Sequence, residues 1–218
     1  MATEYKSHHG EAKNLPQPSL RRMPLYFAYL KELAEAGQKR ISSAVIAAEL
    51  NLHPVQVRKD LALTEVTGRP RTGFDVQALL TDIRRLLDYD NVKKAVVVGA
   101  GHLGKALLAY HGFQEFGLQL VAAVDSNPEV IGSHVGEVEV AAMEDLPRLV
   151  RDGQIRIGII TTPAAVAQDC CDRLVAAGIE AIWNFAPIHL QVPEQVVLQH
   201  ENIAVSLSLL SKRLSDAE

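Results

Sequence analysis

Residues 93–112 read KKAVVVGAGHLGKALLAYHG, and this stretch limits the possible folds more than any other in the chain. A short β-branched run enters Gly99-Ala100-Gly101-His102-Leu103-Gly104, and an apolar helical pattern opens at once, from about Leu103. A strand that turns into a helix through G-x-G-x-x-G is built to hold a pyrophosphate. Gly99 makes the tight turn, Gly101 lets the backbone approach the phosphates, and Gly104 lets the helix pack on the strand. The anion then rests on free N–H groups at the helix N-terminus. Such a turn usually opens a chain, but here 92 residues precede it.

Beyond the turn the same pattern continues. LQLVAAVD (118–125) reads as a strand. A connection then holds GEVEVAAM and EDLPRLVRD. IRIGIITT (155–162) reads as a strand, AAVAQDCCDRLVAAG (164–178) as a helix and IEAIWNFA (179–186) as a strand. Apolar strands separated by helices indicate a parallel sheet covered on both faces, a Rossmann-type α/β domain. Asp125 ends the second strand near the expected interval of about 20 residues. A carboxylate there accepts hydrogen bonds from both ribose hydroxyls and repels a 2′-phosphate, which favours NADH and NAD+ over their phosphorylated forms.

The preceding residues are of a different kind. Helical periodicity places a first helix over Pro24–Ala36, with Met23, Phe27, Leu30 and Ala34 at core spacing and Gly37 as its stop. SSAVIAAEL is a short helix capped by Ser42 or Ser43. The turn NLH leads to a third helix opened by Pro54, PVQVRKDLAL, which completes a helix-turn-helix. Val57 and Leu61 can face inward, leaving Val55, Gln56, Arg58 and Lys59 on the other faces. VTGRPRTGFDV reads as a hairpin wing with Arg69 and Arg71 at its tip, and DVQALLTDIRRLLDYD as a closing helix. Residues 1–75 carry 11 Lys and Arg against 8 Asp and Glu, while the remainder carries 11 against 18. A basic first third on an acidic remainder suits contact with a polyanion through the first part alone.

Several functions lose support. No run of 18 apolar residues exists, so no membrane span is expected. The start, MATEYKSHHGEAKNLPQPS, lacks an apolar segment and reads as a flexible polar arm rather than a secretory signal. The adjacent Cys170 and Cys171 suit neither a disulfide nor zinc, which points to a cytoplasmic location, and the eight histidines show no ligand spacing, so no metal is expected. A dehydrogenase needs a group to exchange a proton with its substrate. Beyond residue 91 there is no Tyr-x-x-x-Lys pair, and His102 and His189 lack a matched carboxylate in sequence, so no catalytic residue is named. A CoA-binding module is a further use of a glycine-rich turn, against which Asp125 argues.

Four stretches resemble the Rex family of bacterial redox-sensing repressors: RISSAVIAAEL…VQVRKDL (40–61), VVGAGHLGKALLAYHGF (97–113), LVAAVD (120–125) and IWNFAPIHLQVPEQV (182–196). The resemblance runs from Arg21 to about Asn202. It implies a homodimer with a flexible arm (1–19), a winged-helix DNA-binding domain (20–90), a Rossmann NAD(H)-binding domain (91–201) and an exchanged C-terminal dimerisation helix (202–218, helical over about Val205–Leu214). It implies a repressor that leaves an inverted-repeat operator when NADH binds. It also places Thr161, Thr162, Pro163, Asn184 and Phe185 on the nicotinamide side. Pro54, Val55 and Gln56 would meet base edges, Arg58 and Lys59 phosphates or guanine, and Arg69 and Arg71 the backbone or minor groove. Ser42, Ser43 and Arg21 complete the expected DNA contacts, with Arg22 beside them. The chain departs from the family in a wing one residue shorter than in many members. It departs again at Ala204 and Val205, where members commonly carry an acid. The alternative reading is a small NAD-dependent dehydrogenase with a helical N-terminal extension.

Overall fold

The computed structural model describes residues 15–216. The chain divides into two compact units, one ending at Asp90 and the other beginning at Asn91. Most of the expected arm lies outside the described residues.

The first unit contains α1 (Gln17–Glu35), β1 (Arg40–Ile41), α2 (Ser43–Glu49), α3 (Pro54–Leu61), β2 (Phe74–Asp75) and α4 (Val76–Leu86). The first helix does not start at Pro24, as its periodicity suggested, but seven residues earlier at Gln17, with Pro24 inside it. An internal proline costs a helix on the order of 3 kcal/mol. Here the buried row Ser19, Met23, Tyr26, Phe27 and Leu30 runs through it, so tertiary packing holds the helix together. Residues 17–19 therefore belong to α1 and not to the arm. Ser42 caps α2, accepting from Val45 N at 3.2 Å. His53 Nδ1 does the same for α3, accepting from Val55 N at 3.3 Å. Val57 and Leu61 are fully buried, as their spacing requires, and so are Ile46, Leu79 and Ile83 of the neighbouring helices. The wing is a tight turn in which Arg69 and Gly73 exchange two backbone hydrogen bonds at 2.9 Å. Its return leg, β2, pairs with β1, a strand the sequence did not suggest. Gly73 (φ +72°) is required there, because any Cβ would press on the Ile41 carbonyl.

The second unit contains β3 (Lys93–Val98), α5 (His102–Ala109), β4 (Leu118–Asp125), β5 (His134–Val135), β6 (Val138–Ala142), α6 (Leu146–Gly153), β7 (Ile157–Ile160), α7 (Ala164–Ala176), β8 (Ala181–Asn184), β9 (Val197–His200) and α8 (Ile203–Ser215). Its sheet has the order β5-β6-β4-β3-β7-β8-β9. All neighbours are parallel except β5, which is antiparallel on β6. Chain order reverses between β3 and β7, the switch point where doubly wound sheets bind ligands. Successive β3 residues serve opposite faces. Val96 and Val98 pack with Leu146, Cys171 and Leu174, while Ala95 and Val97 pack with Leu107 and Leu108. The supposed connection GEVEVAAM proves to hold β6. The additional strand β9 was hidden because its residues alternate between exposed and half-buried at a sheet edge.

Candidate cofactor cleft and nucleic-acid surface

The glycine turn sits at the switch point. Gly99 adopts φ +96°, and its N–H donates to Val124 O at 2.9 Å, tying the turn to β4. A Cβ on Gly104 would collide with Gly99 O, so that glycine is demanded by packing. A Cβ on Gly101 would meet nothing within 4 Å. The fold itself therefore places no demand on Gly101, and a ligand backing onto the turn would. Gly101 is the N-cap of α5 and supplies no side-chain cap, so the first N–H groups of the helix, from His102, Leu103 and Gly104, are available to an anion.

Asp125 closes β4 beside this turn. Its Oδ2 accepts from Ala100 N at 2.6 Å and its Oδ1 from Asn127 N at 2.8 Å. A cavity of about 160 Å³ opens next to it, walled by Gly99, Asp125, Glu144, Thr162, Cys170 and Arg173 among others. The Thr162 hydroxyl is buried, and among the described residues it meets the weakly bonding thiol of Cys170 but no oxygen or nitrogen partner. Buried hydroxyls so weakly paired are rare, and this one lines the cavity, which fits a polar ligand. Burial pushes the thiols of Cys170 and Cys171 up, that of Cys171 to about 11.

The residues expected on the nicotinamide side are distributed differently. Thr162 stands with Asp125, because β7 adjoins β3 and ends at the switch point. The Thr161 hydroxyl is occupied, donating to Gly99 O at 2.6 Å. Pro163 is exposed at the N-cap of α7. Asn184 is wholly buried: its Nδ2 donates to Ala186 O and Ile188 O, and its Oδ1 accepts from Ala186 N at 2.9 Å. The amide thus shapes the loop after β8. The Phe185 ring lies 4.8 Å from Trp183, which meets Phe113 edge-on, and Phe113 in turn meets Tyr110. Trp183 Nε1 donates to Glu201 Oε1 at 3.0 Å. Sequence reasoning missed this aromatic row, because its members come from separate segments with no shared spacing. It also passed over Cys170 and Arg173, read as ordinary residues of α7.

In the first unit Pro54, Val55, Arg58 and Lys59 are exposed on α3, and Gln56 is half-buried. Arg58 folds back loosely, its Nε 3.4 Å from Pro54 O. Arg69 and Arg71 are exposed at the wing turn, and Arg71 takes the left-handed conformation (φ +65°). Ser42 and Ser43 are half-buried at the start of α2, and Arg21 is exposed on α1. Arg22 is not available for DNA. Its guanidinium grips the Asp60 carboxylate, with Nε 2.6 Å from Oδ2 and Nη2 2.8 Å from Oδ1. Among the described residues no group of three or more His, Cys, Asp or Glu is placed to hold a metal. None of the described helices is long and apolar enough to cross a membrane.

Comparison with known proteins meets these two sites separately and then together. Residues 14–62 match the family model described as putative DNA-binding protein N-terminus, and residues 90–188 the model described as CoA binding domain. The redox-sensing transcriptional repressor Rex of Bacteroides fragilis is 35% identical over 99% of this chain and 98% of its own length. The Rex of Treponema denticola is 42% identical over 88% of this chain and 92% of its own. The chain belongs to the Rex family.

Solved structures agree. RSP, a Rex-family repressor, matches in its complex with NAD+ and operator DNA with a TM-score of 0.86, at 35% identity over 93% of this chain and 94% of RSP. Its complex with NADH matches with a TM-score of 0.85. The expected fold class, an N-terminal helix-turn-helix domain followed by a Rossmann-type parallel sheet, is the one found.

Proposed function

We propose that this Rex-family chain is a transcriptional repressor that senses the NADH/NAD+ ratio and releases its operator when NADH binds. The observation that carries the reading is the pairing, in one chain, of the Gly99–Gly104 turn braced by Asp125 with the exposed basic face of α3. The RSP complexes supply the ligand pair: NAD+ with operator DNA in one, NADH in the other.

Each site has work that its residues suit. The N–H groups at the start of α5 receive the pyrophosphate. Asp125 keeps lone pairs for ribose hydroxyls, and its charge opposes a 2′-phosphate. The reduced nicotinamide ring is neutral and the oxidised ring positive, so an apolar pocket near Pro163 and Phe185, which penalises an unpaired charge, favours the reduced form. Arg58 and Lys59 neutralise phosphates or pair with guanine, and the N-terminal residues of α3 read base edges. The chain acts in the cytoplasm as a homodimer, because an inverted repeat is read by two helices spaced to successive grooves. It uses NADH as a signal, performs no turnover and needs no metal.

For NADH to act as a signal it must prefer one dimer geometry, since equal affinity for both shifts nothing. Operator DNA then weakens NADH binding by the factor that NADH weakens operator binding. The test is fluorescence anisotropy of the operator duplex that RSP binds, titrated with this protein at fixed salt and then with NADH or NAD+. Release by NADH and not by NAD+ is the expected result. Binding indifferent to both removes the sensor. No binding at low salt, with NADH consumed alongside a carbonyl compound, would install a dehydrogenase instead.

A further inference from the structure

Asp60 lies in the last turn of α3, where the helix dipole disfavours a carboxylate, and it is only 1% exposed. Its partners all come from one face of α1: Ser19, Arg22 and Tyr26, at i, i+3 and i+7. Arg22 holds it with both arms of the fork. The Tyr26 hydroxyl donates to Oδ2 at 2.6 Å, and Ser19 adds a side-chain hydrogen bond. Burial alone would push this carboxyl up, but the bonds from Arg22, then Tyr26 and Ser19, outweigh it and hold it below the usual range.

A buried ion pair contributes little net stability, because desolvation offsets its Coulombic gain. A bidentate fork does fix an angle. Asp60 shares the inner face of α3 with Val57 and Leu61, while Val55, Arg58 and Lys59 occupy the outer one. A helix with side chains has a radius of about 5–6 Å, so a rotation of about 20° moves the outer atoms by about 2 Å. That displacement breaks a hydrogen bond to a base edge but leaves a lysine within reach of a phosphate. Apolar packing by Val57 and Leu61 tolerates such a rotation, whereas the fork does not.

We propose that Asp60, gripped by Ser19, Arg22 and Tyr26, is a positioning residue that sets the rotation of α3 and so governs base discrimination rather than general DNA affinity. This rests on the reading that α3 meets the operator.

The full-length wild type, Asp60→Asn, Tyr26→Phe and Arg22→Lys are titrated against the operator duplex and a scrambled duplex of equal length, with salt slopes measured for both. Asp60→Asn should lose operator affinity on the order of tenfold or more, the size of one misplaced base contact. Its scrambled-duplex affinity and salt slope should stay at wild-type values. Arg22→Lys keeps the charge without the fork and should lose discrimination too. An unchanged operator-to-scrambled ratio, or an equal fall on both duplexes, overturns the proposal. If Asp60→Asn fails to fold by thermal melting, Tyr26→Phe decides, since it keeps the ion pair and must still lower the ratio. A wild type with no operator preference sinks the functional reading, and this proposal with it, before any variant is made.

Discussion

The Asp125 carboxylate accepts the backbone N–H of Ala100 at 2.6 Å, so the acid that ends β4 is built into the turn after β3. Asp125 therefore has two tasks, bracing the turn and offering its remaining lone pairs to a ribose. Asp125→Ala removes a charged acceptor from two backbone donors, Ala100 N and Asn127 N. Hydrogen bonds to charged groups contribute on the order of 1.5–3 kcal/mol. NADH affinity should fall at least tenfold. The single tryptophan, Trp183, lies beside Phe185, so energy transfer from Trp183 to NADH measures the change directly.

The glycines of the turn should separate fold from binding. Gly104→Ala drives a methyl into Gly99 O, and overpacking of that kind costs about 1–3 kcal/mol, which a urea titration would detect. Gly101→Ala meets no protein atom within 4 Å. It should melt like the wild type while losing NADH binding, read by the same energy transfer. Wild-type NADH affinity in Gly101→Ala would mean that the dinucleotide does not back onto this turn.

The contrast between these glycines also explains which parts of the molecule are legible in the sequence. The turn, β3 and Asp125 are readable because short-range rules of spacing and conformation dictate them. Arg22 is not, since nothing local shows that a buried acid 38 residues later will claim it. The same holds for Pro24, whose local preference for a helix start is overridden by the buried row on either side. Thr162 follows its strand to the switch point, a consequence of sheet order that no motif encodes. β9 is a half-exposed edge strand of four residues, too short and too polar for periodicity to reveal.

His200 should give the second unit a pH dependence. Its ring stacks on His189 at 5.1 Å, and its Nδ1 lies 3.0 Å from the Asn184 amide nitrogen. Its Nε2 is buried without a hydrogen-bond partner among the described residues. Burial, and then His189, hold His200 below its ordinary value of 6.5. The unfolded chain thus takes up a proton that the native one refuses. The associated stability is complete above about pH 6.5 and is lost as pH falls through the lower native value. Urea midpoints followed by Trp183 fluorescence should drop between about pH 7.5 and 5.5, a window that brackets the ordinary histidine value. His200→Gln should flatten that drop. An equal drop in the variant would assign it to other groups.

The last helix makes a prediction about assembly. Leu207, Leu210 and Leu214 of α8 stand at i, i+3 and i+7 and are 62%, 57% and 63% exposed. A helix with an apolar stripe so exposed needs a surface to cover it. A second copy of the chain is the partner that the two-fold operator reading requires. Light scattering should find the wild type a dimer at micromolar concentration. Leu210→Asp would bury an unpaired carboxylate in that interface and should yield folded monomers that still bind NADH. Those monomers should also lose operator affinity steeply, because each reaches only one half-site. A Leu210→Asp protein that stays dimeric and binds operator as the wild type does would show that the two-fold contact lies elsewhere than on this stripe.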